Sequence, residues 1–166
     1  RNRIDRPGQV CAVAVRGRSW QDQRTLIGET VGSYRVTAKL AEGGMGAVYR
    51  AEHPLLGKAA AVKVLLPELS NNREIVNRFF NEAKAATAIR HPGIVEIFDF
   101  GYLPSGMAYI VMELLVGVPL SERMVVGEPL GVGTFLHLID ETLQGLSAVH
   151  AAGVVHLEAQ APAQRQ

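Results

Sequence analysis

Cysteine is almost missing: Cys11 stands alone among 166 residues, which excludes an internal disulfide framework and fits a reducing, cytoplasmic compartment. An excess of either charge is missing too. Seventeen Lys and Arg against sixteen Asp and Glu leave a net charge of +1, so nothing electrostatic favours nucleic acid or a membrane surface. No apolar run approaches the ~20 residues of a membrane span, and the chain as given is expected to be soluble. The run Val10-Cys11-Ala12-Val13-Ala14-Val15 is too short for a signal h-region and has no cleavage context. His53 and His91 have no second ligand spaced to make a metal site, so no metal ligand is assigned.

What is present centres on Leu40 to Lys63. A glycine-rich run, Ala41-Glu42-Gly43-Gly44-Met45-Gly46-Ala47-Val48, precedes Ala61-Val62-Lys63. Before it, Tyr34, Val36, Ala38 and Leu40 alternate with Arg35, Thr37 and Lys39, the period of a half-buried strand; Ala47 to Glu52 reads as a second strand. The glycines let the backbone turn without a Cβ penalty and bring amide N–H groups close to an anion, phosphate being the obvious one. Taken alone, such a run is more commonly a glycine-rich hairpin turn. A Walker A loop needs Lys and Ser or Thr after its last glycine, where Ala47-Val48 stand. A dinucleotide fingerprint must open a helix, and this run opens a strand.

A third strand places Ala59, Ala61, Lys63 and Leu65 on one face and Ala60, Val62, Val64 and Leu66 on the other, after a turn at Pro54 to Gly57. Asn71 to Ile89 reads as a helix on the spacing of Ile75, Phe79, Ala83, Ala86 and Ile89, stopped by His91-Pro92. Glu82, three residues past Phe79 and four before Ala86, shares that stripe in this reading. A buried carboxylate is costly unless paired, so Lys63 and Glu82 are expected to be partners; the alternative is that Glu82 points to water. Strands follow at Val95 to Tyr102 and Ala108 to Leu114, around the turn residues Pro104-Ser105-Gly106. A short helix at Pro119 to Met124 and a longer one at Gly131 to Ala152 complete the pattern, the latter with Phe135, Leu138, Ile139, Leu143 and Leu146 on one face.

Strand, glycine loop, strand, then a lysine on a third strand matches the protein-kinase signature. With Arg78-Phe79-Phe80-Asn81-Glu82-Ala83, His91-Pro92-Gly93-Ile94-Val95 and Val149-His150-Ala151-Ala152-Gly153-Val154-Val155-His156, the chain resembles the bacterial (Hanks-type) serine/threonine protein kinases from about Gly32 to His156. The resemblance implies an α+β fold: a small lobe of five antiparallel strands plus one helix, then one or two helices of an incomplete large lobe. It divides the chain into a flexible extension (1–31), small lobe and hinge (32–115), partial large lobe (116–156) and a tail outside the family pattern (157–166). ATP is the implied ligand, and protein Ser/Thr the implied substrate. Its implied contacts are Leu40, Gly43, Gly44, Gly46, Val48, Ala61, Lys63, Met112 as gatekeeper, and the backbone of Glu113 and Leu115. Lys63 and Glu82 form the implied ion pair that holds the lysine against the phosphates.

The match stops after His156. Leu157-Glu158 stand where the family places Arg-Asp, and neither the catalytic-loop Asn nor the following Asp, both magnesium ligands, is present. Ala41 also replaces the first loop glycine. The absent initiator methionine and the Ala- and Gln-rich tail suggest a partial, processed or frameshifted chain, truncated at the catalytic loop and wanting a missing large-lobe segment. Active kinase, pseudokinase-like nucleotide-binding module and nonfunctional fragment are the readings left, with catalysis by this chain alone the least expected.

Overall fold

The computed structural model describes residues 26–120 and 130–154. Cys11, most of the Pro119 to Met124 helix and everything from Val155 onward lie outside the described residues. Six strands, β1 (Thr30–Val31), β2 (Tyr34–Gly43), β3 (Gly46–Glu52), β4 (Ala59–Leu65), β5 (Ile97–Tyr102) and β6 (Ala108–Glu113), form one antiparallel sheet in the order β1-β2-β3-β4-β6-β5. Between β4 and β5 come α1 (Pro67–Ser70) and α2 (Arg73–Thr87), and a long helix, α3 (Val132–Ala151), follows β6.

The five expected strands are all present, and β1 is an addition. It pairs Val31 with Tyr34, the Gly28 N–H donates to the Val36 carbonyl, and Leu26 and Val31 are buried. Thr30 and Val31 thus belong to the sheet, with Leu26 packed into its core, and not to the extension expected over 1–31. Single apolar residues in a polar run carry no period, yet they cover the edge left by Tyr34 and Val36. The alternation read from Tyr34 to Leu40 is broken twice, between Val36 and Ala38 and between Lys39 and Ala41. Bulges of this kind bend a strand and raise its twist, which turns the glycine-rich end of β2 relative to its start.

The two faces of the sheet bury separate cores. On one, Val31, Tyr34, Val36, Tyr49, Ala51, Val62, Val64, Tyr109 and Val111 pack together. On the other, Leu65, Ala108 and Ile110 meet Val76, Phe79 and Ala83 of α2. The split follows the alternation of β4, with Val62 and Val64 on the first face and Leu65 on the second. Asn72 starts α2 by accepting hydrogen bonds from Glu74 N (3.0 Å) and Ile75 N (3.3 Å), an N-cap worth about 1 kcal/mol. Burying Val76 and Phe79 contributes about 1.5–3 kcal/mol each.

At the β1–β2 turn, Gly32 has φ +57° and faces the Asp99 carboxylate, which accepts a hydrogen bond from the Tyr109 hydroxyl at 3.3 Å. A side chain at Gly32 would displace that carboxylate. Helix α3 touches the sheet domain where Gly145, its one buried residue, lies against His91 and Gly93; His91 Nδ1 accepts from the Gly93 N–H at 3.1 Å. Phe135, Leu143 and Leu136 of α3 remain about half exposed or more. Among the described residues no helix is long and apolar enough to cross a membrane.

Candidate functional site

Directly opposed residues on antiparallel strands share a face, so strand register assembles the site. Val48 stands opposite Lys63, and Lys63 opposite Ile110; in the next row Arg50 stands opposite Ala61, and Ala61 opposite Met112. Val48, Ala61, Lys63 and Met112 therefore lie on one face across β3, β4 and β6. Tyr49, Val62 and Val111, the row between them, are buried on the opposite face. Ala61 is buried, and Val48, Lys63 and Met112 are half-buried.

The glycine-rich run is a β-hairpin: Gly43 pairs with Gly46, and Gly44-Met45 make the turn. Its glycines have different reasons. A Cβ on Gly46 would overlap the Val64 carbonyl oxygen, so β4 itself requires glycine there. A Cβ on Gly44 would meet open space, so packing does not account for that glycine. The Leu66 N–H donates to the Met45 carbonyl at 3.1 Å, tying the hairpin tip to the end of β4. Leu40 falls at the second bulge, half-buried and without a cross-strand partner.

Lys39 and Glu42 form an ion pair on the hairpin, and the second oxygen of Glu42 is buried without a hydrogen-bond partner among the described residues. Lys39 stands opposite Tyr49. Burial raises the Tyr49 phenol above its ordinary value, Lys39 opposing and Glu42 and Glu29 adding to the rise.

Lys63 and Glu82 are not joined in this structure. The Lys63 ammonium lies over the Phe79 ring, 5.5 Å from its centroid. Glu82 is exposed, and among the described residues it has no ion pair with Lys63. The physical reason is helical geometry. Val76, Phe79 and Ala83 form the buried stripe of α2, and at 3.6 residues per turn Glu82 falls about a quarter turn from the centre of that stripe. Spacing of three from Phe79 and four to Ala86 put Glu82 near the stripe without putting it inside.

At the other end of the face, the Glu113 N–H donates to the Glu96 carbonyl at 2.8 Å, while Glu113 and Leu115 are exposed. Reading the sequence alone missed Ile110, the residue opposite Lys63, because it looks like any strand-core isoleucine until the β4–β6 register is known. Ser70, whose hydroxyl holds β6, carries no sequence signal at all.

An antiparallel sheet with a glycine hairpin at one end, a lysine on the neighbouring strand and a single helix packed beside it defines the small lobe of a kinase-like fold. The chain belongs to the protein kinase family: residues 34–158 match the protein kinase domain. It is 43% identical over 134 residues to the serine/threonine-protein kinase Pkn1 of Myxococcus xanthus, covering 81% of this chain and 19% of that protein. It is 38% identical over 135 residues to the serine/threonine-protein kinase PknA of Mycobacterium tuberculosis, covering 78% of this chain and 31% of that one. The crystal structure of the Mycobacterium tuberculosis PknI kinase domain matches with a TM-score of 0.69 at 29% identity, over 81% of this chain and 55% of that one. The chain thus spans between a fifth and a third of these curated relatives and about half of the solved kinase domain. The kinase-like fold and the bacterial serine/threonine kinase kinship read from the motifs are both shown.

Proposed function

We propose that this chain is the nucleotide-binding part of a serine/threonine protein kinase, holding ATP against the sheet face that carries Val48, Ala61, Lys63 and Met112. The observation that carries the reading is this row itself: a half-buried lysine without a carboxylate partner among the described residues, flanked by apolar neighbours and next to a hairpin whose Gly44 has no packing reason to be glycine. Val48 and Ala61 suit one side of an adenine ring, with Met112 beside it. Gly43, Gly44 and Gly46 offer backbone N–H groups to phosphate, and the Lys63 ammonium supplies the counter-charge. Leu40 and the Glu113 to Leu115 backbone flank the same face.

ATP supplies the transferable phosphoryl group when bound; the chain's own residues grip and orient it. Kinase phosphoryl transfer also draws on a catalytic-loop Asp and on an Asn and an Asp that hold magnesium. Leu157-Glu158 occupy the first of these places, and among the described residues no group of three or more His, Cys, Asp or Glu could hold a metal ion. The described residues do not fit magnesium, and the role assigned to this chain by itself is nucleotide binding. Transfer to protein Ser or Thr belongs, in this reading, to a longer protein with a full large lobe, working in the cytoplasm.

Thermal unfolding with ATP tests it. Ligand at about a hundred times its Kd stabilises by about 2.7 kcal/mol, a rise of several degrees in Tm for a domain of this size. Lys63→Met should remove the rise. An equal rise in K63M, or none in the unaltered chain at millimolar ATP, contradicts the proposal.

A further inference from the structure

We infer that Lys39 and Glu42 are positioning residues for the glycine hairpin, their ion pair locking the β2 bulge at Leu40 that sets which groups face Lys63. The inference rests on the nucleotide-binding reading and adds to it what fixes the register of the hairpin. Side chains alternate along a regular strand, so residues three apart point to opposite faces. Here Lys39 stands opposite Tyr49 and Glu42 opposite Ala47, two residues apart on β3, because Leu40 is an extra residue between the pairs Lys39–Tyr49 and Ala41–Val48. Lys39 and Glu42 therefore share the face of Tyr49 and Ala47, which pack with one core, and this face is turned away from Lys63. Both charges act on the Tyr49 phenol, and their ion pair closes across the bulge.

The pair can form only in the bulged register. Paired without the extra residue, Lys39 would keep its place while Glu42 came to stand opposite Gly46, on the face that carries Val48 and Lys63. A carboxylate would then sit where phosphate is to be held, and the Gly43–Gly46 pair that closes the hairpin would be lost. Glu42 depends on the lysine more than the lysine depends on it. Its side chain is 26% exposed against 37% for Lys39, and its second oxygen is buried with no hydrogen-bond partner among the described residues. Removing Lys39 leaves a partly buried carboxylate alone, which costs more than leaving the lysine to water. Beyond the pair, the Leu66 N–H donates to the Met45 carbonyl at the hairpin tip, so exchange at that amide reports a slip of β2.

Calorimetric titration of the full chain with ATP tests the role, using E42Q, K39M, K39R and the K39M/E42Q double variant. Charge alone predicts that E42Q tightens ATP, since it removes a negative charge beside the phosphate hairpin. The register lock predicts the reverse: E42Q should weaken ATP about fivefold and K39M at least as much, whereas K39R should stay within about twofold of the unaltered chain. The double variant should bind no more weakly than K39M, because both changes remove one arrangement. Hydrogen exchange at Leu66 should quicken in E42Q and not in K39R. An E42Q affinity equal to or tighter than that of the unaltered chain, effects of K39M and E42Q that add, or a K39R as weak as K39M overturns the role of the pair while leaving nucleotide binding intact. Absence of any ATP binding by the unaltered chain overturns both. Should a single variant fail to fold, the exchanged pair K39E/E42K decides: ATP binding kept there supports the lock, and binding lost there overturns it.

Discussion

The Lys63 ammonium sits over the ring of Phe79, one helix face away from the carboxylate of Glu82, which is left in solvent. A cation over an aromatic ring gains about 0.5–1 kcal/mol at exposed sites, and unlike an ion pair it brings no opposite charge to the lysine. The lysine is thereby kept near the hairpin without being neutralised, which is the condition in which an anionic ligand gains most from it.

Phe79 holds α2 to the sheet as well as sitting beside the lysine. Phe79→Ala should cost about 3–5 kcal/mol of stability, the range for truncating a buried aromatic residue, and Phe79→Leu clearly less. Urea denaturation of the two variants checks this. Equal and small losses would mean that α2 is not anchored through this ring.

Gly46→Ala and Gly44→Ala should separate by stability. The new methyl at 46 meets the Val64 carbonyl, whereas at 44 it meets open space. Strain of the first kind costs about 1–3 kcal/mol; the second change should leave Tm within a degree or two while lowering ATP affinity, since Gly44 has no packing role. Thermal melts with and without ATP distinguish the two.

These contrasts show what the chain made legible and what it did not. The alternation on β4 was enough to sort Val62 and Val64 from Ala61, Lys63 and Leu65, because a period of two survives any strand order. Helix α2 was legible for a similar reason, its apolar spacing being local, although its Asn72 cap was not singled out. The edge strand β1 was not, since Leu26 and Val31 acquire meaning only from the partners they cover. Bulges at Thr37 and Leu40 are also set by the pairing of β2 with β3. The Lys63–Glu82 contact failed for a subtler cause: spacing locates a side chain to within about a quarter turn, and that margin spans the difference between stripe and solvent.

Alkaline pH should destabilise the fold. Burial first, then the charge of Asp99 and its hydrogen bond, raises the Tyr109 phenol above its ordinary value, and burial foremost raises Tyr49. A phenol whose pKa is raised on folding contributes stability that is complete below the unfolded value, about 10, and is lost as pH climbs through the folded value. Unfolding free energy measured from pH 8 to 11 should therefore fall above about pH 10. Tyr109→Phe should flatten that fall, and an unchanged slope would rule out its phenol as a cause.

Helix α3 should exchange its amides faster than the central strands. Gly145 is its one buried residue, while Phe135, Ile139, Leu143 and Leu146 are 40–57% exposed, and local opening is easiest where apolar contacts are fewest. Hydrogen exchange of the full chain measures it directly. Protection of α3 equal to that of β4 and β6 would show that something covers its apolar side.

Amide shift mapping by NMR during titration with ATP is the most direct test that the Lys63 face takes the nucleotide. The account predicts perturbations gathered at Gly43, Gly44, Val48, Ala61, Lys63 and Glu113, lost in Lys63→Met. Perturbations centred on Tyr49, Val62 and Val111, or spread without a centre, would contradict it.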